Sequence, residues 1–392
     1  MSEKLAEVFE QYDIQILGTR KGRGATILTT PKGLCILEPF RGNMNRLEQE
    51  HVLKQLFLQE GYHNIDYFIP NKDGILFTSD KYRQPFVMKQ YFEGEECDMR
   101  NVEDMIRAVK ELAIFHTYGK KVARKFPHAW RESQRQKERD RIEELRFALE
   151  NGEELEKLAY LYDINPVVLE ETLQASVNSE DEKDVKLDGE PKHYESILDV
   201  FLRHNKELKK IHQYVIKVKR KNAFENLFLQ VFQKYYEQGK SCVERMQKER
   251  MDSEKQFKEH YGICHGSYNQ HNVLMTQEQI AIVHFDCFSK GNQLGDLYQF
   301  SRKAMEKNHY DFRLLNELLE AYHHIIPLSQ EDYQYLFVLF SYPEKFWKIA
   351  NRYYNAKKAF LSPKYLEKLE TVILQETEKD NMLKEYFSFH LE

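Results

Sequence analysis

Residues 264–296 read CHGSYNQHNVLMTQEQIAIVHFDCFSKGNQLGD. A His265-Gly266 pair, Asn272 seven residues after the His, a short hairpin and Asp296 in Gly295-Asp296-Leu297 follow the order of catalytic loop, metal-binding strand and anchoring helix that phosphoryl transfer uses. That chemistry needs a base for the acceptor hydroxyl, hard oxygen ligands for magnesium and a cation against the phosphates. Here Ser267 stands where the base Asp is expected, and the strand that should end on a metal-binding Asp reads Val283-His284-Phe285. A serine hydroxyl is no base at neutral pH without an activating partner. An imidazole suits softer metals than Mg²⁺.

Two substitutes for the missing metal ligand follow from spacing. His284 and Asp286 are two apart, so a strand continuing through both would point them the same way, and a bulge at Phe285 would bring Asp286 to the metal. The alternative is that Asp286 caps the turn into Ser289-Lys290-Gly291-Asn292. A different grouping, Cys264, His265, His284 and Cys287, has zinc-ligand chemistry, but adjacent residues such as Cys264 and His265 point to opposite faces of a strand.

The elements that must hold these residues are legible from period. An amphipathic helix opens the chain, and Ile14 to Leu17, Ala25 to Thr29 and Leu34 to Leu37 predict a three-stranded meander separated by glycine turns. The first turn, with Gly18, Gly22 and Gly24, has the composition of a phosphate cradle built from backbone amides, which is also ordinary turn chemistry. A helix over 45–59 closed by Gly61 comes next, then strands at Ile65 to Ile69, Ile75 to Thr78 and Phe86 to Lys89. A hinge at 91–95, containing Tyr91 and Glu93-Gly94-Glu95, divides this small lobe, 1–94, from a mostly helical lobe over 95–392.

In the large lobe, 102–118 carries an apolar stripe at helical spacing and 130–150 is a charged helix. Residues 153–161 and 166–174 predict a helical hairpin, and acidic, polar 178–191 a flexible loop. Residues 194–249 continue as helix with breaks, the cluster Lys217, Lys219, Arg220 and Lys221 falling on a solvated face. Five helices are expected after the central stretch: 294–307, 312–325, 330–340, 344–359 and 365–386. The fold class is therefore α+β, two-lobed.

A net charge of -5, from 58 basic against 63 acidic residues, argues against nucleic acid or an anionic membrane as partner. No run approaches the length of a membrane span and no secretory signal is visible. Five scattered cysteines without a C-x-x-C point to a reducing compartment. The 24 Tyr and 25 Phe fit either an aromatic core or a protein-binding surface.

Residues 264–274, then Phe285-Asp286, Asp296-Leu297 and the run Ser341-Tyr342-Pro343-Glu344-Lys345-Phe346-Trp347 to Tyr353-Tyr354-Asn355, resemble the CotS family of spore coat proteins. Arg41-Gly42 and Glu93-Gly94-Glu95-Glu96-Cys97 are also similar, and the likeness covers about 12–374, with 126–192 as an insertion. That family looks like a branch of the aminoglycoside-phosphotransferase and choline-kinase type of protein-kinase-like fold. The resemblance implies a small β-rich lobe with one main helix. It implies that His265 and Asp296 anchor the loop and that Asn272 is a second metal ligand. It also implies a strand Lys on the nucleotide phosphates, paired with a helix Glu. Glu38 occupies that Lys position, facing Glu50 or Glu48, so the site should repel both phosphate and its own helix.

Loss of a base costs about 10² to 10⁴ in rate, and loss of a phosphate contact about 10² to 10³ more. The expectation is a pseudokinase that binds neither ATP nor Mg²⁺, made in the cytoplasm, laid on the spore coat and partnered by other coat proteins. The alternative is an ATP-dependent phosphotransferase whose metal site uses Asp286.

Overall fold

Alternation at the start of the chain gives each strand one face for the core. In the computed structural model, which describes residues 3–22, 24–152, 154–161, 196–251, 258–355 and 364–391, five antiparallel strands form a sheet in the order β1-β2-β3-β5-β4. They are β1 (Gly18–Lys21), β2 (Thr26–Thr30), β3 (Gly33–Pro39), β4 (Phe77–Ser79) and β5 (Pro85–Gln90). Helix α1 (Glu3–Phe9) covers one face, where Val8, Phe9 and Tyr12 pack on Leu28, Cys35, Leu37, Phe86 and Met88. Helix α2 (Met44–Gln59) lies on the other, capped by the Asn43 side chain and ended by Gly61 at φ +93.

Two strands differ from expectation. The first runs over Gly18–Lys21 rather than Ile14 to Leu17. Ile14 and Ile16 alternate because they pack on the α1 core, not because they sit in a ladder. Ile65 to Ile69 meets β5 through one bridge, Phe68 to Lys89, with the Ile69 N–H donating to Met88 and the Gln90 N–H to Tyr67, while Ile65 bridges Ile282 outside this sheet.

The chain divides into two compact units, Met1–Ala123 with Lys192–Glu392, and Arg124–Pro191. Helix α3 (Val102–Glu150) belongs to both, because it continues through Pro127 where two helices were expected. Proline removes one backbone donor, and a helix of 49 residues retains enough other bonds to persist. Within the smaller unit, Leu145 and Leu158 form a local core between α3 and α4 (Leu155–Leu161). The expected hairpin helix at 166–174 and loop at 178–191 lie outside the described residues.

The large lobe is helical, as expected. Helices Ile197–Lys217 and Ala223–Glu249 are separated by a break that contains Lys219, Arg220 and Lys221. These basic residues therefore sit in a turn rather than on a helix face, and Lys221 Nζ donates to the Val218 carbonyl at 2.7 Å. The last predicted helix is two, Lys364–Leu374 and Glu376–Leu391. Phe224, Phe228, Phe232, Tyr235, Phe346 and Tyr353 form one aromatic core, so much of the aromatic surplus is interior.

The two lobes share a second aromatic group. Phe57 of α2, fully buried, stacks on Phe115 of α3 at 5.0 Å and approaches Phe285 at 6.5 Å. Phe57→Ala should therefore lower unfolding free energy by about 3–5 kcal/mol in urea titration followed by far-UV circular dichroism.

Candidate functional site

The face of α2 turned toward the sheet is apolar at Leu47, Leu53, Leu56 and Phe57, yet it also buries Glu50 and Lys54. Those two are one turn apart, and Lys54 Nζ lies 2.6 Å from Glu50 Oε1. The same ammonium is 2.7 Å from Asp66 Oδ1 and donates to the Asp66 carbonyl at 2.8 Å. On the sheet, Glu38 is register partner to Val87 and Ile36 to Lys89, which sets Glu38 and Lys89 diagonally on one face. Lys89 Nζ is 3.2 Å from Glu38 Oε2 and 3.6 Å from Asp66 Oδ2.

Three carboxylates and two ammonium groups thus form one buried chain, with Asp66 in its middle. Both ammonium groups also stand over the Phe68 ring, at 4.5 and 5.3 Å. Burial alone would raise the Asp66 carboxyl from its ordinary 3.8, but the charges of Lys54 and then Lys89 outweigh it and hold the group at about 2. Burial likewise works against the Lys89 ammonium, and Asp66 and Glu38 more than compensate, holding it above its usual range. The repulsion expected between Glu38 and the helix acid is therefore absent. Each acid has its own lysine, and of the two candidate helix acids it is Glu50 that takes part. Sequence reasoning missed Lys54, Asp66 and Lys89, although a charged pair one turn apart inside an apolar stripe was a visible signal.

The catalytic-loop remnant is built on Asp296. Its Oδ2 accepts from the His265 backbone N–H at 2.6 Å and its Oδ1 from that of Gly266 at 2.9 Å. His116 of α3 adds its Nε2 at 3.3 Å, and its Nδ1 meets the Tyr322 hydroxyl at 2.8 Å. The His265 ring accepts the Ser267 N–H on Nδ1 and donates from Nε2 to the Val283 carbonyl, so it is neutral and held on both sides. Burial lowers the pKa of both histidines, against the pull of Asp296. Gly266 has φ +75, and a Cβ there would stand 2.1 Å from the Cys287 carbonyl oxygen, so only glycine fits.

Ser267 Oγ lies 3.3 Å from the Asn269 amide nitrogen, and among the described residues no carboxylate or imidazole accepts its proton. Asn272 turns its amide nitrogen onto the Ser267 carbonyl at 2.9 Å, so that donor orders the loop. The hairpin that follows pairs Val273–Met275 with Ile280–Ile282. The strand does not continue through His284 and Asp286. His284 takes a left-handed conformation, φ 64 and ψ 69, which histidine tolerates better than most residues. Its N–H donates to Asp66 Oδ2 at 3.2 Å. Asp286 then lies exposed in a short 3₁₀ turn, Phe285–Cys287, so neither the strand geometry that would aim it at a metal nor a cap on the next turn is observed. Its carbonyl, with that of Phe288, is held by the guanidinium of Arg46 from α2.

The zinc grouping does not assemble either. Both His265 nitrogens are occupied, burial pushes the Cys264 thiol well above its ordinary range, and among the described residues no three His, Cys, Asp or Glu side chains are placed to hold a metal ion. In the glycine turn, Gly18 opens β1 and the Gly22 N–H is spent on the Ala25 carbonyl at 2.9 Å, leaving Gly24 at φ +75 for the turn itself. Tyr91 is bonded to Leu34 through its N–H and stands under the Arg20 guanidinium, which pairs with Glu93 at 3.1 Å.

This geometry has recognisable relatives. A family model described as "Spore coat putative kinase YutH" matches residues 199–386. The chain is 24% identical over 165 residues to "Spore coat protein S" of Bacillus subtilis (strain 168). That match covers 41% of this chain and 47% of the relative, so it spans about half of the relative's length. Among solved structures, an aminoglycoside phosphotransferase from Alicyclobacillus acidocaldarius superposes with a TM-score of 0.68 at 13% identity, over 97% of this chain and 94% of that one. A spectinomycin phosphotransferase in complex with ADP and its substrate gives 0.55 at 12% identity, over 95% and 97%. A microcompartment-associated aminopropanol kinase gives 0.52 at 10%, over 98% and 97%. The fold is kinase-like, and the resemblance to CotS-type spore coat proteins read from the sequence is borne out. Among the described residues no helix is long and apolar enough to cross a membrane.

Removing one partner of a buried pair strands the other. Lys89→Ala should cost about 3–5 kcal/mol in urea unfolding, and Glu38→Leu with Lys89→Met should recover most of it. Acid should act in two windows. The buried histidines have lowered pKa values, so unfolded chain takes up protons that His116 and His265 refuse, and stability falls as pH drops below about 6.5. Asp66 is depressed, so its contribution is complete above its unfolded value of 3.8 and is lost as pH falls through about 2. Unfolding free energies measured from pH 7 to 2 should show both declines.

Proposed function

We propose that this chain is a pseudokinase that serves as a structural or assembly component of the spore coat. The observation that carries the reading is the buried ion chain of Glu38, Glu50, Lys54, Asp66 and Lys89. Lys89 is paired with Glu38, at the position where a strand lysine would meet nucleotide phosphates, and both cations of the chain are bound to carboxylates. Phosphate arriving here would meet three carboxylates against two ammonium groups, one negative charge in excess. Ser267 without a proton acceptor, and Asp286 turned to solvent, support the same reading. The likeness to spore coat protein S supports coat association with other coat proteins as partners.

Thermal denaturation with ATP, with and without Mg²⁺, followed by product detection with labelled ATP, tests it. A bound nucleotide at a hundredfold excess over its dissociation constant would stabilise by about 2.7 kcal/mol. The expected result is no Mg²⁺-dependent shift and no label transfer. Magnesium-dependent transfer of label would overturn the proposal.

A further inference from the structure

Of the run from Ser341 to Trp347, residues 342–346 line a small cavity in the large lobe. Side chains from helices Leu294–Lys307, Gln330–Ser341, Glu344–Asn355, Lys364–Leu374 and Glu376–Leu391 surround it, together with Tyr235, and its volume is about 30 Å³. Neither the buried ion chain nor the catalytic-loop remnant contributes to its wall.

The charged lining is balanced, with Arg302, Lys345 and Lys379 against Glu306, Glu344 and Glu376. Most of these groups are spent within the protein. Arg302 Nη1 donates to Glu306 Oε1, and Arg302 Nη2 lies 3.8 Å from Glu344 Oε1. Lys345 Nζ is 3.5 Å from Glu306 Oε2 and donates to Gln375 Oε1 at 3.4 Å. Lys379 Nζ donates to the Ser341 and Tyr342 carbonyls at 3.3 and 3.5 Å. A charged guest would therefore meet three groups of its own sign without a spare counter-charge.

Two buried atoms on the lining residues are left over. Arg302 Nε, on a residue 9% exposed, has no acceptor, and Glu376 Oε1, on a residue 6% exposed, has no hydrogen-bond donor, standing 3.7 Å from the exposed Lys234 ammonium. One is a donor and the other an acceptor, and each costs free energy while unsatisfied. A guest that bonds both needs an acceptor and a donor of its own and no net charge. One water needs about 10–15 Å³ of such space, so the cavity holds about two atoms of that size. The oxygen and nitrogen of a primary carboxamide meet these requirements, and Phe340, Phe346 and Val372 supply apolar lining for the carbon that carries them.

We infer that this cavity is a binding site for a primary carboxamide, carried by a small free amide or by an Asn or Gln side chain of another protein. Arg302 Nε donates to the amide oxygen, and Glu376 Oε1 accepts from the amide nitrogen. The site is separate from the cleft and does not depend on whether the cleft is silent.

The test titrates the full ¹⁵N-labelled chain with acetamide and with N-acetylglutamine methylamide, following the Arg302 Nε–H resonance. Acetate, methylammonium and N-acetylglutamate methylamide, at matched ionic strength, are the charged comparators. The expected result is saturable movement of that resonance by an amide, with affinity at least about tenfold weaker for the charged compounds and for Glu376→Gln. Val372→Phe, which fills the cavity from helix Lys364–Leu374, should abolish binding while far-UV circular dichroism stays unchanged. Tighter binding of acetamide identifies a free amide as occupant, tighter binding of the glutamine derivative identifies a protein side chain, and each supports the site. No saturable movement with either amide means a cavity filled by water only and overturns the inference. An equal response to the charged compounds, or undiminished affinity in both variants, overturns it as well. The comparison of glutamine with glutamate derivatives on wild type decides the matter even where a variant fails to fold.

Discussion

A carboxylate with 3% of its surface exposed must be matched by positive charge, and Asp66 is matched twice. Its position decides much of the cleft. Lys54 reaches it from α2, Lys89 from the sheet, and the His284 backbone from the far side of the site. Small-lobe helix, sheet and the His284 loop therefore meet on one side chain. The same requirement explains why Glu38 is tolerated where a cation is expected: Lys89, on the neighbouring strand, supplies the charge.

The loop over His265–Asn272 is held by a scaffold independent of any reacting group. Asp296 still holds two successive backbone amides, and His116 and Tyr322 still hold Asp296 from behind. Gly266 is still required by the approach of the Cys287 carbonyl. These bonds fix a loop conformation whose central residue, Ser267, has no proton acceptor. Scaffold and reacting groups are separable because the former are satisfied by backbone within the protein, while the latter are needed only by substrate.

The fold was legible where the signal was local. The periods of α2 and the large-lobe helices and the hairpin after Asn272 follow from short-range pattern, while the anchoring role of Asp296 came from the family resemblance. What was not legible depends on distant partners. Lys89 is an ordinary strand lysine until β3 brings Glu38 beside it, and Asp66 is a loop acid until Lys54 and Lys89 converge on it. The displaced first strand has the same cause, since Ile14 and Ile16 alternate for the sake of a helix packed across the sheet. The helices expected over 102–118 and 130–150 are one, Val102–Glu150, because the length of helix on either side of Pro127 absorbs the loss of one donor.

The stacking of Phe57 on Phe115, with Phe285 alongside, has a consequence for motion. Working kinases open and close about the joint between lobes to admit nucleotide and release product. Here aromatic rings pack across that joint on one side and Arg46 holds the Phe288 segment on the other, so opening the small lobe would have to part buried rings.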